Sequence, residues 1–112
     1  MIFRQKDIVL LSYPFTNLQE KKVRPALIVS NDDFNVSCDN VLMLPLTSQI
    51  KEITSYAISI TQNDMKNGKL VKSGMIRIDK LFSIEKRLIR MKIGNVTDAY
   101  FSNVRKELIG AL

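Results

Sequence analysis

Histidine is absent from this chain, and cysteine occurs once, at Cys38. The first absence removes the commonest general base, so acid–base chemistry has to use other groups. The two together leave only carboxylates as zinc ligands, and no metal site or other cofactor is expected. A lone cysteine excludes an internal disulfide and fits a reducing cytosol. Long hydrophobic runs are missing too. Ile8 to Leu11, Ala26 to Val29 and Val41 to Leu44 are far too short to span a bilayer. The opening MIFRQKD becomes charged within four residues, so no secretory leader and a cytoplasmic location are expected. There are no repeats, no low-complexity tracts and no linker. At 112 residues, the span 1–112 reads as one domain.

What is present is a core-forming, basic composition. The chain is 46% hydrophobic, enough to exclude disorder. The net charge is +6, unevenly placed. Residues 1–65 carry six Lys/Arg against seven Asp/Glu, and residues 66–112 carry eleven against four. A basic half suits a polyanion such as RNA, DNA or an acidic protein tail. It also suits a merely solvated face.

The apolar pattern predicts short strands. Asp7 to Tyr13, Arg24 to Ser30 and Asn40 to Thr47 are the clearest, and Tyr56 to Ile60 is weaker. Met75 to Leu81 alternates and predicts another strand; Leu88 to Ile93 favours one more. Asn31 to Phe34 suggests a short helical turn. Asn67-Gly68 and Lys72-Ser73-Gly74 read as turns. Pro45 predicts a sheet edge or bulge at the end of the third strand. Thr97 is a good helix N-cap, with Asp98 at the positive end of the dipole. Phe101, Val104, Leu108 and Leu112, joined by Ile109, then recur at helical spacing. The expected fold is five or six short, mostly antiparallel strands plus a C-terminal helix, closed as a small barrel or rolled sheet.

One residue breaks the apolar logic. Arg24 precedes Pro25, which holds it extended at the mouth of an otherwise buried strand. The second and third strands are joined by about ten residues, too few for a helical crossover, so antiparallel pairing is expected. That pairing brings the start of one strand beside the end of the next, and Arg24 beside Thr47. Arginine binds phosphate bidentately and stabilises charge growing on phosphorus. A threonine hydroxyl can donate to the same oxygens. Such a pair suits attack by an RNA 2′-hydroxyl on its own adjacent phosphate, which needs no metal and no protein nucleophile. The alternative is a rim arginine paired with a surface carboxylate and a threonine filling a β position.

With these residues in view, the chain resembles the MazF/PemK family of toxin endoribonucleases, the toxin half of bacterial toxin–antitoxin pairs. The likeness runs in order through Asp7-Ile8-Val9-Leu10, Pro14-Phe15-Thr16, Arg24-Pro25-Ala26-Leu27-Ile28-Val29-Ser30, Pro45-Leu46-Thr47-Ser48, Arg77-Ile78-Asp79-Lys80-Leu81 and Ile93-Gly94. It implies an SH3-like (CcdB/MazF-like) antiparallel β-barrel that forms a homodimer. It implies metal-independent, sequence-selective cleavage of single-stranded RNA or mRNA, leaving a 2′,3′-cyclic phosphate and a 5′-hydroxyl. It also implies a cognate antitoxin whose flexible segment covers the RNA groove. The family's catalytic arginine falls on Arg24 and its catalytic threonine on Thr47. The family arginine is commonly assigned acid–base work together with charge stabilisation. A guanidinium pKa above about 12 favours the second role.

Around that pair, Pro14 and Phe15 suit stacking on bases, or the phenylalanine tucks into the core. Thr16, Asn17 and Gln19 suit base edges or a solvated loop. Lys21 and Lys22 suit phosphates. Ser48 either orients Thr47, touches RNA or satisfies turn backbone groups, and Gln49 is grouped with it as a candidate RNA contact. Asp32-Asp33 reads as turn capping in preference to a metal pair. Arg77 and Asp79 suit a same-face structural pair. Lys86, Arg87, Arg90 and Lys92 form a basic surface, solvated or facing RNA. Three departures from the family pattern stand out. Lys6 occupies a position often held by glycine, the loop Thr16 to Lys22 lacks glycine, and Ser73-Gly74 replaces a common Pro-Ser. The competing functions are a CcdB-type toxin that poisons DNA gyrase without cleaving RNA, and a plain RNA-binding barrel.

Overall fold

The three clearest apolar segments form the middle of one antiparallel sheet. β1 spans Asp7–Ser12, β2 Val23–Ile28 and β3 Asn40–Thr47. The computed structural model describes residues 2–12, 23–48 and 56–112. β1 pairs with β2, and β2 with β3. Side chains alternate between the two faces. Ile8, Leu27, Leu44 and Leu46 join one buried cluster, while Val9, Leu11, Ala26, Ile28, Val41 and Met43 join a second. Burial on both faces explains why these strands read as unbroken apolar runs.

Between β2 and β3 runs the short helix α1, Asp32–Ser37. Asn31 supplies the cap, its Oδ1 accepting from Phe34 N at 2.8 Å, while Asp32 and Asp33, expected to cap the turn, stand in its first turn. Asp32 accepts from Gln5 N at 2.8 Å, tying the helix to the N-terminal segment. Ser30 and Asn35 are buried and satisfy each other, and Ser30 Oγ also accepts from Leu42 N at 3.0 Å.

Five further strands complete the sheet among the described residues. They are β4 Ala57–Ile60, β5 Met65–Gly68, β6 Gly74–Arg77, β7 Phe82–Glu85 and β8 Ile89–Val96. The order is β4-β6-β3-β2-β1-β8-β5, with β7 also on β3. The sheet curls into an antiparallel half-barrel, as expected, though with eight strands instead of five or six.

The extra strands come from two segments whose structure departs from their local pattern. Met75 to Leu81 is not a single strand. β6 stops at Arg77, a helical turn covers Ile78–Lys80, and β7 starts at Phe82. Ile78 N donates to Tyr56 O at 2.8 Å, and Arg77 forks onto Asp79 at 2.9 and 2.6 Å. These contacts bend the chain and leave Leu81 exposed. The bend lets β7 pair with Asn40–Met43 of β3 while β6 pairs with Leu46 and Thr47 on the same side.

Pro45 sits in that handover, not at a sheet edge. Val29 N donates to Leu42 O, so even-numbered β3 residues address β2 and Pro45 faces the other way. There its missing N–H costs no ladder bond. Asn67-Gly68 is likewise not a chain reversal. It belongs to β5, where Gly68 at φ +84° lies opposite Gly94 of β8. A Cβ on Gly68 would stand 2.1 Å from the Ile93 carbonyl oxygen.

The C-terminal helix α2 spans Asp98–Gly110. Thr97 Oγ1 accepts from Tyr100 N at 3.1 Å. Phe101 and Val104 are buried and Leu108 is partly buried against the first cluster. Ile109 and Leu112, expected on the same face, are exposed. Ile109 lies a further 100° round the helix from Leu108, and Leu112 comes after the helix has ended. Near the start of the helix Tyr100 is buried as well, and its hydroxyl donates to Ser59 O at 2.9 Å. No described helix is long and apolar enough to cross a membrane.

Candidate functional site

The β2–β3 register pairs Ala26 with Pro45, Leu27 with Leu44 and Ile28 with Met43. Carried two residues further, it sets Arg24 against Thr47. Each is tied to a third strand as well. Arg24 lies opposite Leu11 of β1, and Thr47 opposite Met75 of β6. The pair therefore stands at the rim of the central strands, on well-anchored backbone. Arg24 is exposed and Thr47 half-buried.

Both line one cleft of about 390 Å³. Its apolar walls come from Leu10, Val23, Pro25, Leu46, Leu70, Val71 and Ile93. Its polar side chains are Arg24, Thr47, Ser48 and Lys72. Among the described residues the lining holds two cations, two hydroxyls and no carboxylate. Such a lining attracts an anion and offers hydrogen-bond donors to it. It presents neither thiolate nor carboxylate for a metal ion.

Gly74 closes one side of the cleft. A Cβ there would lie 2.3 Å from the Thr47 carbonyl oxygen, so only glycine lets β6 come this close to β3 at Thr47. Ser73-Gly74, a departure from the family pattern, thus falls at a point of backbone contact with the site.

Of the residues expected around the pair, Ser48 lines the cleft and is exposed. Pro14, Phe15, Thr16, Asn17, Gln19, Lys21, Lys22 and Gln49 lie outside the described residues. In the sequence Lys72 stands only as part of the turn Lys72-Ser73-Gly74. No local signal marks it as a site residue, because it reaches the cleft through the β6–β3 pairing. Arg77 and Asp79 form the expected pair away from the cleft, and the fork from Arg77 holds the Asp79 carboxyl below its ordinary pKa. Lys92 is not only a surface charge: it pairs with buried Asp7 at 3.0 Å. Arg87 pairs with Glu85, and Arg90 Nε donates to Ser12 Oγ at 2.8 Å.

The fold is thus a curled antiparallel half-barrel with a helix on one face, and at its strand ends lies a cationic cleft with no acid among its described lining residues. The chain belongs to the family of PemK-like, MazF-like toxins of type II toxin–antitoxin systems, whose model matches residues 4–112. No curated protein matches the sequence. Solved structures share the fold. A MazE–MazF complex from Deinococcus radiodurans superposes with a TM-score of 0.79 at 20% identity, over 99% of this chain and 96% of that one. An endoribonuclease in complex with its cognate antitoxin, from a mycobacterial species, gives 0.77 at 18% identity, over 98% and 92%. The Mycobacterium tuberculosis toxin MazF-mt6 gives 0.69 at 19% identity, over 94% and 93%.

Proposed function

We propose that this toxin is an endoribonuclease that cuts single-stranded RNA in its Arg24–Thr47 cleft. The observation that carries the reading is the cleft lining: an arginine and two hydroxyls beside one another, with no acid among the described residues. In the proposed step the RNA 2′-oxygen bonds to the adjacent phosphorus while the bond from phosphorus to the 5′-oxygen breaks. The 2′-hydroxyl proton passes to solvent, and the departing 5′-oxygen takes a proton from water. The products are a 2′,3′-cyclic phosphate and a 5′-hydroxyl. Arg24 stabilises charge on the non-bridging oxygens, and Thr47 donates to the same group. The nucleophile belongs to the RNA, so the chemistry requires no metal ligand and no histidine.

Membership in a toxin–antitoxin family supports a cognate antitoxin as the protein partner, a homodimer as the working form and the cytoplasm as the place of action. The names of the mycobacterial relatives support the nuclease reading over gyrase poisoning.

The test is incubation of the purified protein with long single-stranded RNA in excess EDTA, with end-group analysis of the fragments. Discrete cuts ending in cyclic phosphate are expected. Arg24→Ala should lower the single-turnover rate by about 10²–10³, the usual cost of losing a donor to a charged transition state. Its melting temperature should hardly change, because Arg24 is exposed. Intact RNA from folded wild-type protein overturns the reading. Loss of gyrase supercoiling in the same preparation would then favour the gyrase poison.

A further inference from the structure

Lys72 is the second cation of the cleft, and the step above makes no use of it. It lies on the bend between β5 and β6, beside β3 on the side away from β2. The order across the cleft is Arg24 on β2, Thr47 at the end of β3 with Ser48 just past it, then the Lys72 bend entering β6. Neighbouring strands lie about 4.8 Å apart, so β2 and β6 stand roughly two spacings, ~10 Å, from each other with β3 between them, and Lys72 comes three residues before Met75, the residue opposite Thr47.

The bend is held on both sides. Upstream, the Gln62 side chain clamps it: Oε1 accepts from Leu70 N at 2.7 Å and Nε2 donates to Gly68 O at 3.1 Å. Lys69 N adds a bond to Ile93 O at 3.3 Å. Downstream, Gly74 packs against the Thr47 carbonyl. Lys72 thus lies between two anchored residues, Leu70 and Gly74. Among the described residues no carboxylate pairs with it.

We propose that Lys72 binds a phosphate next to the scissile one, so that the cleft grips two successive phosphates of one RNA strand. This rests on the ribonuclease reading of the same cleft. The planar fork of Arg24 suits bidentate capture of one phosphate. Lys72 is a point charge on the far side of the hydroxyls, placed to neutralise another. Leu46, Leu70 and Val71 line the same cleft as the two cations. They suit the less polar faces of the nucleoside that joins two phosphates. The substrate is then an oligonucleotide with a phosphate beyond the cut, and a dinucleotide lacking it is a poor one.

The test reads binding separately from cleavage. The cut site of the wild type is mapped on a long single strand. An oligomer spanning it is made uncleavable by 2′-O-methylation. Its affinity is then titrated against salt for the wild type, Lys72→Gln and Lys72→Arg. Lys72→Gln should weaken binding roughly 3–10-fold at low salt and reduce the log–log salt slope by about 0.7, the loss of one single-strand phosphate contact. Lys72→Arg should restore both. Replacing one neighbouring phosphate by an uncharged methylphosphonate should weaken the wild type equally and add nothing to Lys72→Gln. On cleavable RNA, Lys72→Gln should raise KM and leave kcat within about twofold.

An unchanged salt slope in Lys72→Gln overturns the proposal. So do methylphosphonate losses that multiply with the mutation at every position. If the wild type leaves the long strand intact, the nuclease reading has failed. The same salt titration on that intact strand still decides whether Lys72 is a phosphate contact.

Discussion

At the scale of the residue, Lys6 shows what a family-typical glycine position costs when another side chain fills it. Its φ is +82°, a conformation that favours glycine. The backbone is held there from both sides, because Lys6 N donates to Ile28 O and Lys6 O accepts from Val96 N, each at 3.0 Å. The side chain offsets part of the strain. Its ammonium lies 3.0 Å from Asp98 and 5.9 Å from the centre of the Phe101 ring. The Asp98 carboxyl is held below its ordinary pKa by that lysine. Lys6→Ala removes these contacts and keeps the strain, whereas Lys6→Gly removes both. We therefore expect Lys6→Gly to be more stable than Lys6→Ala by about 1 kcal/mol, the reverse of the usual order. Urea melts of the two variants check this.

At the scale of the element, two contacts decide how strands and helix dock. The first is Gly74 against Thr47. Gly74→Ala forces β6 away from β3, and a cost of about 2 kcal/mol or more is expected, in line with overpacking. RNA cleavage should fall with it, since Thr47 and Lys72 sit either side of the contact. Thermal melts and single-turnover rates on the same sample measure both effects. The second is Tyr100, which fixes α2 to β4 through Ser59. Burial, with a smaller contribution from Asp64, pushes its phenol pKa well above the ordinary value. The folded state therefore keeps the phenol neutral while the unfolded chain ionises near pH 10. The stability linked to Tyr100 is fully present below that pH and is lost progressively above it, up to the raised pKa of the folded phenol. Tyr100→Phe should cost about 1 kcal/mol at pH 7 through the unpaired Ser59 carbonyl. The gap to wild type should narrow between pH 9 and 11 in denaturant titrations.

At the scale of the whole molecule, β1, β2 and β3 belong to both buried clusters at once. Leu27 serves the face under α2, and Met43 the opposite face; both are fully buried. Neither face can open without disturbing strands the other needs. Leu27→Ala and Met43→Ala should each cost about 2–5 kcal/mol, from lost burial and the cavity left behind. A small domain holds only about 5–15 kcal/mol in total. Each variant should still unfold in a single transition by fluorescence and by circular dichroism alike. Separate transitions for the two faces would contradict the shared-strand account.

Much of the fold was legible from local pattern. β3 runs over the expected Asn40 to Thr47, a helical turn follows Asn31 as expected, and the C-terminal helix starts at the expected cap, Thr97. These features depend on neighbours in the chain: side-chain alternation, a hydroxyl or amide three residues before an N–H, a proline at a strand mouth. The sequence by itself also brought the Arg24 and Thr47 ends of two strands together, because a short connection leaves antiparallel pairing as the natural choice; the register came from the fold.

Tertiary structure decided the rest. A period-two pattern says which side chains share a face, but not which strand lies alongside. Hence the break at Ile78–Lys80, which hands β3 from β7 to β6, could not be read from an alternation that runs straight through it. Nor could the left-handed turn at Lys6, imposed by bonds to Ile28 and Val96 from two different strands. Lys72 entered the cleft for the same reason. Its position follows from β6 packing on Thr47 through Gly74, a contact between residues far apart in the chain that only folding brings together.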